Sequence, residues 1–234
     1  MRGWRERLSR LWGPADPGPE AASCRFSVLD TELTGLDPRR DDIVSLGAVR
    51  MEGGRILVGG AWSTLVKPRA ELGGASVLVH RITPGRLEKA PPIDDVLPAF
   101  RAWTEGTVLA GHCINVDLGF LDREARRLGL APFDHPAVDT LSLYGWLRQR
   151  LPAHPAFRAP IQEVDLTALA RALGVAVERA HTALGDAYVT AQVLQRFLPL
   201  LAGAGVTSLS GLLRAGDPRR QMQNLASAEG GVAF

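Results

Sequence analysis

Cysteine, lysine and tyrosine are all scarce in this sequence, and so is any surplus of charge. Two cysteines in 234 residues, Cys24 and Cys113, cannot build a disulfide framework or a thiolate zinc site. No run approaches the roughly 20 apolar residues of a membrane span, and the basic start Met1-Arg2-Gly3-Trp4-Arg5 leads into no signal-type apolar segment. The expected compartment is therefore the reducing cytoplasm. The 27 basic residues stand against 25 acidic ones, which excludes a polycationic nucleic-acid coat and an acidic disordered tail. Only Lys67 and Lys89 are lysines, so the positive charge is almost all arginine. Arginine grips phosphate bidentately, although coding bias gives the same composition.

The remaining composition, 46% hydrophobic, suits one α/β domain with a sizeable core. Residues 1–22 read as a separable flexible arm. Trp4, Leu8, Leu11 and Trp12 recur at helical spacing among arginines, before Gly13-Pro14 and Pro17-Gly18-Pro19 break the pattern. The domain itself is expected over 23–203, with a C-terminal extension over 204–234. Phe26–Glu32, Ile43–Met51 and Ile56–Val66 read as three strands with short connections, hence an antiparallel meander. Ile93–Trp103 fits a helix despite Pro98. Val108–Gly111 is a short strand, Leu118–Leu128 a helix stopped at Gly129, and Val138-Asp139 a brief strand. Helices are expected over Thr140–Arg150, Leu166–Leu173 and Leu184–Leu201. This order implies an α/β fold: a mixed five-stranded sheet with helices on both faces.

Three acidic features interrupt that apolar pattern. Asp30 and Glu32 are two apart in a strand and so share one face, roughly 6.5–7 Å apart. Phe26 and Val28 hold the earlier places on it, so the face turns acidic at the strand end. Asp117 opens a helix after a short buried strand. Asp186 lies at the start of the long helix whose stripe continues with Val189, Thr190 and Val193, and His181 precedes it by five residues. Each has an ordinary explanation alone: a solvated turn, compensation of a helix N-terminus, or a structural pair. Together, four acids on a strand end and two helix starts can meet at one sheet edge. Oxygen ligands without thiolates suit Mg²⁺ or Mn²⁺. With one histidine they suffice for two-metal phosphoryl transfer with a general base.

Leu29-Asp30-Thr31-Glu32-Leu33-Thr34-Gly35 resembles the first motif of the DnaQ-like, DEDDh exonucleases, the group of the DNA polymerase III epsilon subunit. Gly111-His112-Cys113-Ile114-Asn115-Val116-Asp117 resembles the second motif, and His181 to Asp186 the third. Val79-His80-Arg81-Ile82-Thr83 is similar to the family's substrate loop. The resemblance, covering about Arg25 to Leu200, implies an RNase H-like fold and 3′→5′ hydrolysis of nucleic acid with two Mg²⁺ ions (or Mn²⁺). It implies Asp30, Glu32, Asp117 and Asp186 as metal ligands and His181 as the base. Thr31, Leu33, Thr34, His80 and His112 would hold the terminal nucleotide. Leu33, Cys113, Val116 and Arg81 depart from the family pattern, which touches base stacking and the choice of DNA or RNA rather than the metal ligands. Asp139 reads as the cap of the following helix, and His135 and His154 as surface residues.

The leading expectation is therefore a 3′→5′ exonuclease acting on single-stranded DNA ends in proofreading or repair, with a DNA polymerase subunit as an expected partner. An exoribonuclease on short RNA is the alternative within the class. An inactive polymerase-docking module is the alternative outside it, and would be marked by a lost ligand. Setting the four site acids aside leaves 27 bases against 21 acids. The rest of the chain is thus mildly basic, suited to brief contact with a phosphodiester strand.

Overall fold

The computed structural model describes residues 18–69, 82–160, 164–177 and 182–219. Five strands, β1 (Arg25–Leu33), β2 (Ile43–Glu52), β3 (Arg55–Leu65), β4 (Val108–Gly111) and β5 (Ala137–Asp139), form one sheet in the order β3-β2-β1-β4-β5. β1 to β3 are the antiparallel meander, whereas β1 with β4 and β4 with β5 are parallel. The tight β2–β3 turn uses Gly53 at φ 54°, where a side chain would strike the Ala22 carbonyl at 2.0 Å. Seven α-helices are described: α1 (Pro84–Leu87), α2 (Ile93–Trp103), α3 (Asn115–Arg127), α4 (Thr140–Arg150), α5 (Leu166–Ala172), α6 (Ala183–Gly203) and α7 (Leu209–Ala215). This is the RNase H-like mixed sheet that the sequence implied. None of the described helices is long and apolar enough to cross a membrane.

Alternation along the strands divides the core into two layers. Phe26 and Val28 of β1, with Val49 and Met51 of β2, join Val189, Val193 and Phe197 of α6 and Leu143 and Leu147 of α4. Leu29 of β1 and Leu46 of β2 face the other way, onto Leu97 and Phe100 of α2 and Phe120 and Leu121 of α3. Helix α2 runs unbroken through Pro98 because Val96, Leu97 and Phe100 remain buried on its inner face. Helix α3 ends as expected, with Gly129 in a left-handed conformation at φ 68°.

Three details lay beyond the sequence pattern. The short helix α1 gave no periodic signal in four residues. His135 is not a plain surface residue: its ring stacks on Phe133 at 5.7 Å, and burial lowers its pKa. Helix α7 lies in the stretch expected to be an extension, yet Leu209, Leu212 and Leu213 belong to the α6-side core. The Thr207 carbonyl accepts from Ala21 N, and the Pro19 carbonyl from Leu209 N, each at 2.8 Å. Replacing fully buried Leu212 by Ala should cost about 2–5 kcal/mol. Denaturant unfolding measures this, and a loss within experimental error would show that α7 adds nothing to the core.

Candidate metal centre at the end of strand β1

Strand β1 presents Asp30 and Glu32 on the face that carries Phe26 and Val28, past the point where that apolar stripe ends. In the antiparallel register Asp30 lies beside Gly47 and Glu32 beside Ser45 of β2. Helix α6 begins over these residues. Thr182 caps it, its hydroxyl accepting from Gly185 N at 3.2 Å and its carbonyl from Asp186 N at 2.9 Å. The cap holds Asp186 in the first turn, over the strand end. Carboxylate oxygens of Asp30, Glu32 and Asp186 thereby lie within 4.8 Å of one another. It is the one such acidic group among the described residues.

Asp117 arrives from the opposite layer. It sits in the first turn of α3, buried, and accepts from Thr31 twice: from the backbone N at 2.9 Å and from Oγ1 at 2.6 Å. Because Thr31 lies between Asp30 and Glu32, these bonds tie the start of α3 to the middle of the acidic stretch. Asp139 fastens the same helix start, accepting from Ile114 N at 3.3 Å, while it caps α4 by accepting from Ser142 N at 2.8 Å. The capping role was legible in the sequence; the bond to α3 joins distant segments and was not. Cys113, in the turn before α3, has φ 59°. That left-handed conformation suits Asn far better than Cys.

The electrostatics oppose this gathering. Burial, followed by the charges of Asp117, Asp186 and Glu32, holds the Asp30 carboxyl well above its ordinary range. Burial and the charges of Asp186 and Asp117 push Glu32 up to about 7. Burial pushes Asp117 up to about 7 as well, against the lowering effect of the two Thr31 hydrogen bonds. Glu32 Oε1 is buried without a hydrogen-bond partner. A buried carboxylate oxygen without a donor is costly, and a divalent cation among these oxygens would satisfy it while cancelling the repulsion. All the donors are hard oxygen atoms, so the set fits Mg²⁺ or Mn²⁺.

The remaining expected site residues are placed unevenly. His181 and His80 lie outside the described residues. The Thr34 hydroxyl donates to Asp41 Oδ1 at 3.0 Å and accepts from Asp42 N at 2.9 Å, so it braces the β1–β2 loop. Leu33 packs against the α2–α3 core layer. The partly buried His112 ring exchanges a hydrogen bond with Thr140 Oγ1 at 2.9 Å, and burial pushes its pKa down to about 4. Of the expected site residues, the described structure thus gathers Asp30, Glu32 and Asp186 into one group and joins Asp117 to them through Thr31. Gly47 was not singled out from the sequence. A glycine inside an otherwise apolar strand, Leu46-Gly47-Ala48, is the signal that could have found it, since such glycines often mark close backbone approach.

The sequence pattern of the exonuclease family RNase_T matches residues 27–194, most of the chain. The chain belongs to the exonuclease family. Within it, the chain is a DnaQ-like, DEDDh-type member. The PolC-type DNA polymerase III of Thermotoga maritima is 34% identical over 82% of this chain and 13% of its own length. A DNA polymerase III epsilon-like protein of Rhodobacter capsulatus is 38% identical over 80% of this chain and 26% of its own. The exonuclease therefore spans about an eighth to a quarter of these relatives. The nuclease domain of 3′hExo, a DEDDh family member bound to rAMP, superposes with a TM-score of 0.64 at 18% identity, covering 80% of this chain and 96% of that one.

Two outcomes follow from this geometry. Metal-free folded protein keeps protons on Glu32 and Asp117 up to about 7, whereas their ordinary values are 4.5 and 3.8. The folded state therefore binds more protons than the unfolded chain between about pH 4 and pH 7, and its stability falls as pH rises through that window. Melting in chelator should show this fall. Millimolar Mg²⁺ should raise the melting temperature far more at about pH 8 than at about pH 5, and a pH-independent gain would contradict the assignment. Separately, Cys113→Asn should stabilise the protein by about 1 kcal/mol by relieving the left-handed strain; an unchanged or lowered melting temperature would exclude it.

Proposed function

We propose that this exonuclease removes nucleoside 5′-monophosphates one at a time from the 3′ ends of DNA, with divalent cations held at the end of β1. The observation that carries this reading is the convergence of the Asp30, Glu32 and Asp186 carboxylate oxygens within 4.8 Å at the end of β1. Mg²⁺ or Mn²⁺ bound there would supply the positive charge that activates water and steadies the departing 3′ oxygen. In this reading Asp30, Glu32 and Asp186 would hold one cation, and Asp30 with Asp117 would hold a second, Asp117 directly or through water. His181 is covalently next to the capping Thr182 and takes the proton from the attacking water. Thr31 has both its donors on Asp117, so it orients that carboxylate, and Asp139 holds the helix that carries it. His112 stays neutral near pH 7, because its pKa is about 4, and offers a hydrogen bond rather than a charge to a bound nucleotide.

The names of the two polymerase relatives support DNA as the substrate and replication or repair as the setting, with a polymerase subunit as the partner. The rAMP bound in the 3′hExo nuclease domain supports short RNA as the second reading. Incubating 3′-labelled single-stranded DNA, mismatched duplex and short RNA with the protein, in Mg²⁺ or in EDTA, separates the two. Single-stranded DNA should be shortened from its 3′ end to mononucleotides only when Mg²⁺ is present, and degradation unaffected by EDTA would sink the metal reading. Asp30→Asn and Asp186→Asn should each abolish release while the circular dichroism spectrum stays native. His181→Ala should slow release by about 10²–10⁴-fold, and an unchanged rate would remove this histidine from the chemistry.

A further inference from the structure

Gly47 stands beside Asp30 in the central part of the sheet, on the face that meets helix α6. Its backbone does not require glycine, since its φ lies outside the left-handed range; what it lacks is room. A Cβ built there would lie 2.2 Å from Leu184 N, 2.3 Å from Ala183 C and 2.5 Å from Leu184 Cα. All three are backbone atoms of the first turn of α6, so no side chain can rotate away. Ordinary contact between such atoms needs about 3.5 Å, so any residue but glycine forces the helix start and the strand apart by roughly 1 Å. Asp186 is in that same turn, two residues past Leu184, while Asp30 and Glu32 are carried by the strand bonded to Gly47.

We propose that Gly47 is a positioning residue: the missing side chain sets how closely α6 approaches β2, and so fixes the distance of Asp186 from Asp30 and Glu32 and the affinity of the centre for a divalent cation. The proposal rests on the reading of these acids as cation ligands. Residues that orient metal ligands without touching the metal typically contribute about 10–100-fold to metal affinity, and Gly47 is expected to act in that range.

The test is calorimetric titration of the purified full chain with Mn²⁺, a readout independent of nuclease activity. Gly47→Ala should keep a native circular dichroism spectrum and bind Mn²⁺ about 10–100-fold more weakly. Asp186→Glu alone should also weaken binding, because its extra methylene overfills the native spacing. In the Gly47→Ala background the same Asp186→Glu change should recover part of the loss, since a longer side chain reaches across a widened gap. A coupling of opposite sign in the two backgrounds is what a general destabilisation would not produce. Gly53→Ala serves as the control. It is strained by its φ of 54° and by the Ala22 carbonyl at 2.0 Å, but lies at the far end of β2. It should lower the melting temperature and leave Mn²⁺ affinity unchanged. Wild-type Mn²⁺ affinity in Gly47→Ala would overturn the proposal. So would absence of rescue by Asp186→Glu, an equal loss in Gly53→Ala, or failure of Gly47→Ala to fold, which would show that the contact serves the whole fold. If Asp30→Asn binds Mn²⁺ as the wild type does, the cation centre itself is wrong, whatever Gly47 does.

Discussion

Mutual repulsion among Asp30, Glu32, Asp117 and Asp186 is the constraint around which the rest of the molecule is arranged. Each carboxylate is at least partly buried, and burial together with neighbouring charges raises the pKa of Asp30 and Glu32, as burial with the charge of Asp139 does for Asp117. A fold that assembles such a group gives up stability locally and must recover it in the surrounding packing. The two-layer core does this. The strand and helices that bear the acids are anchored by fully buried Phe26 and Val28 on one side and Leu29, Phe120 and Leu121 on the other.

Among the described residues, hydrogen bonds and ion pairs brace the elements that carry the acids. The β1–β2 loop, which begins after Leu33, is closed by Thr34, Asp41 and Asp42. It is strapped to α3 by Arg123, which donates to the Pro38 and Asp41 carbonyls at 2.6 and 2.5 Å. Behind it, Glu124 is only 1% exposed and receives Arg69 and Arg123 at 2.7 Å and Arg127 at 2.8 Å. A buried carboxylate with several guanidinium partners is well compensated, whereas removal of one partner from a buried pair costs about 3–5 kcal/mol. The contrast within one helix is informative. Glu124 is neutralised by the protein's own arginines, while Asp117, two turns earlier, accepts from the uncharged donors of Thr31.

Much of this was visible in one dimension. Strand boundaries followed from short apolar runs closed by turn residues and helix boundaries from the 3.6-residue stripe, because the buried residues of each element are strongly apolar. Asp30 and Glu32 were conspicuous because they break such a stripe. Asp139 could be recognised as a cap because capping is local, acting over three residues. What escaped were contacts between distant segments. The bond of Asp139 to Ile114, the network around Glu124 and the docking of α7 against residues 19–21 all join positions far apart in the chain. The bonds of the Thr34 hydroxyl to Asp41 and Asp42, which brace the loop that follows it, were likewise not legible in the sequence.

The amino-acid sequence by itself determined the fold class, the identities of the four acids and the family, since period, residue chemistry and local motif spacing are properties of short stretches. Tertiary structure alone decided how far apart the acids stand, which of them form one group, and which neighbours neutralise or fail to neutralise them. Those are distances between elements, and they depend on how closely two backbones can pack. At Gly47 that closeness comes down to the absence of a single carbon atom between strand β2 and helix α6.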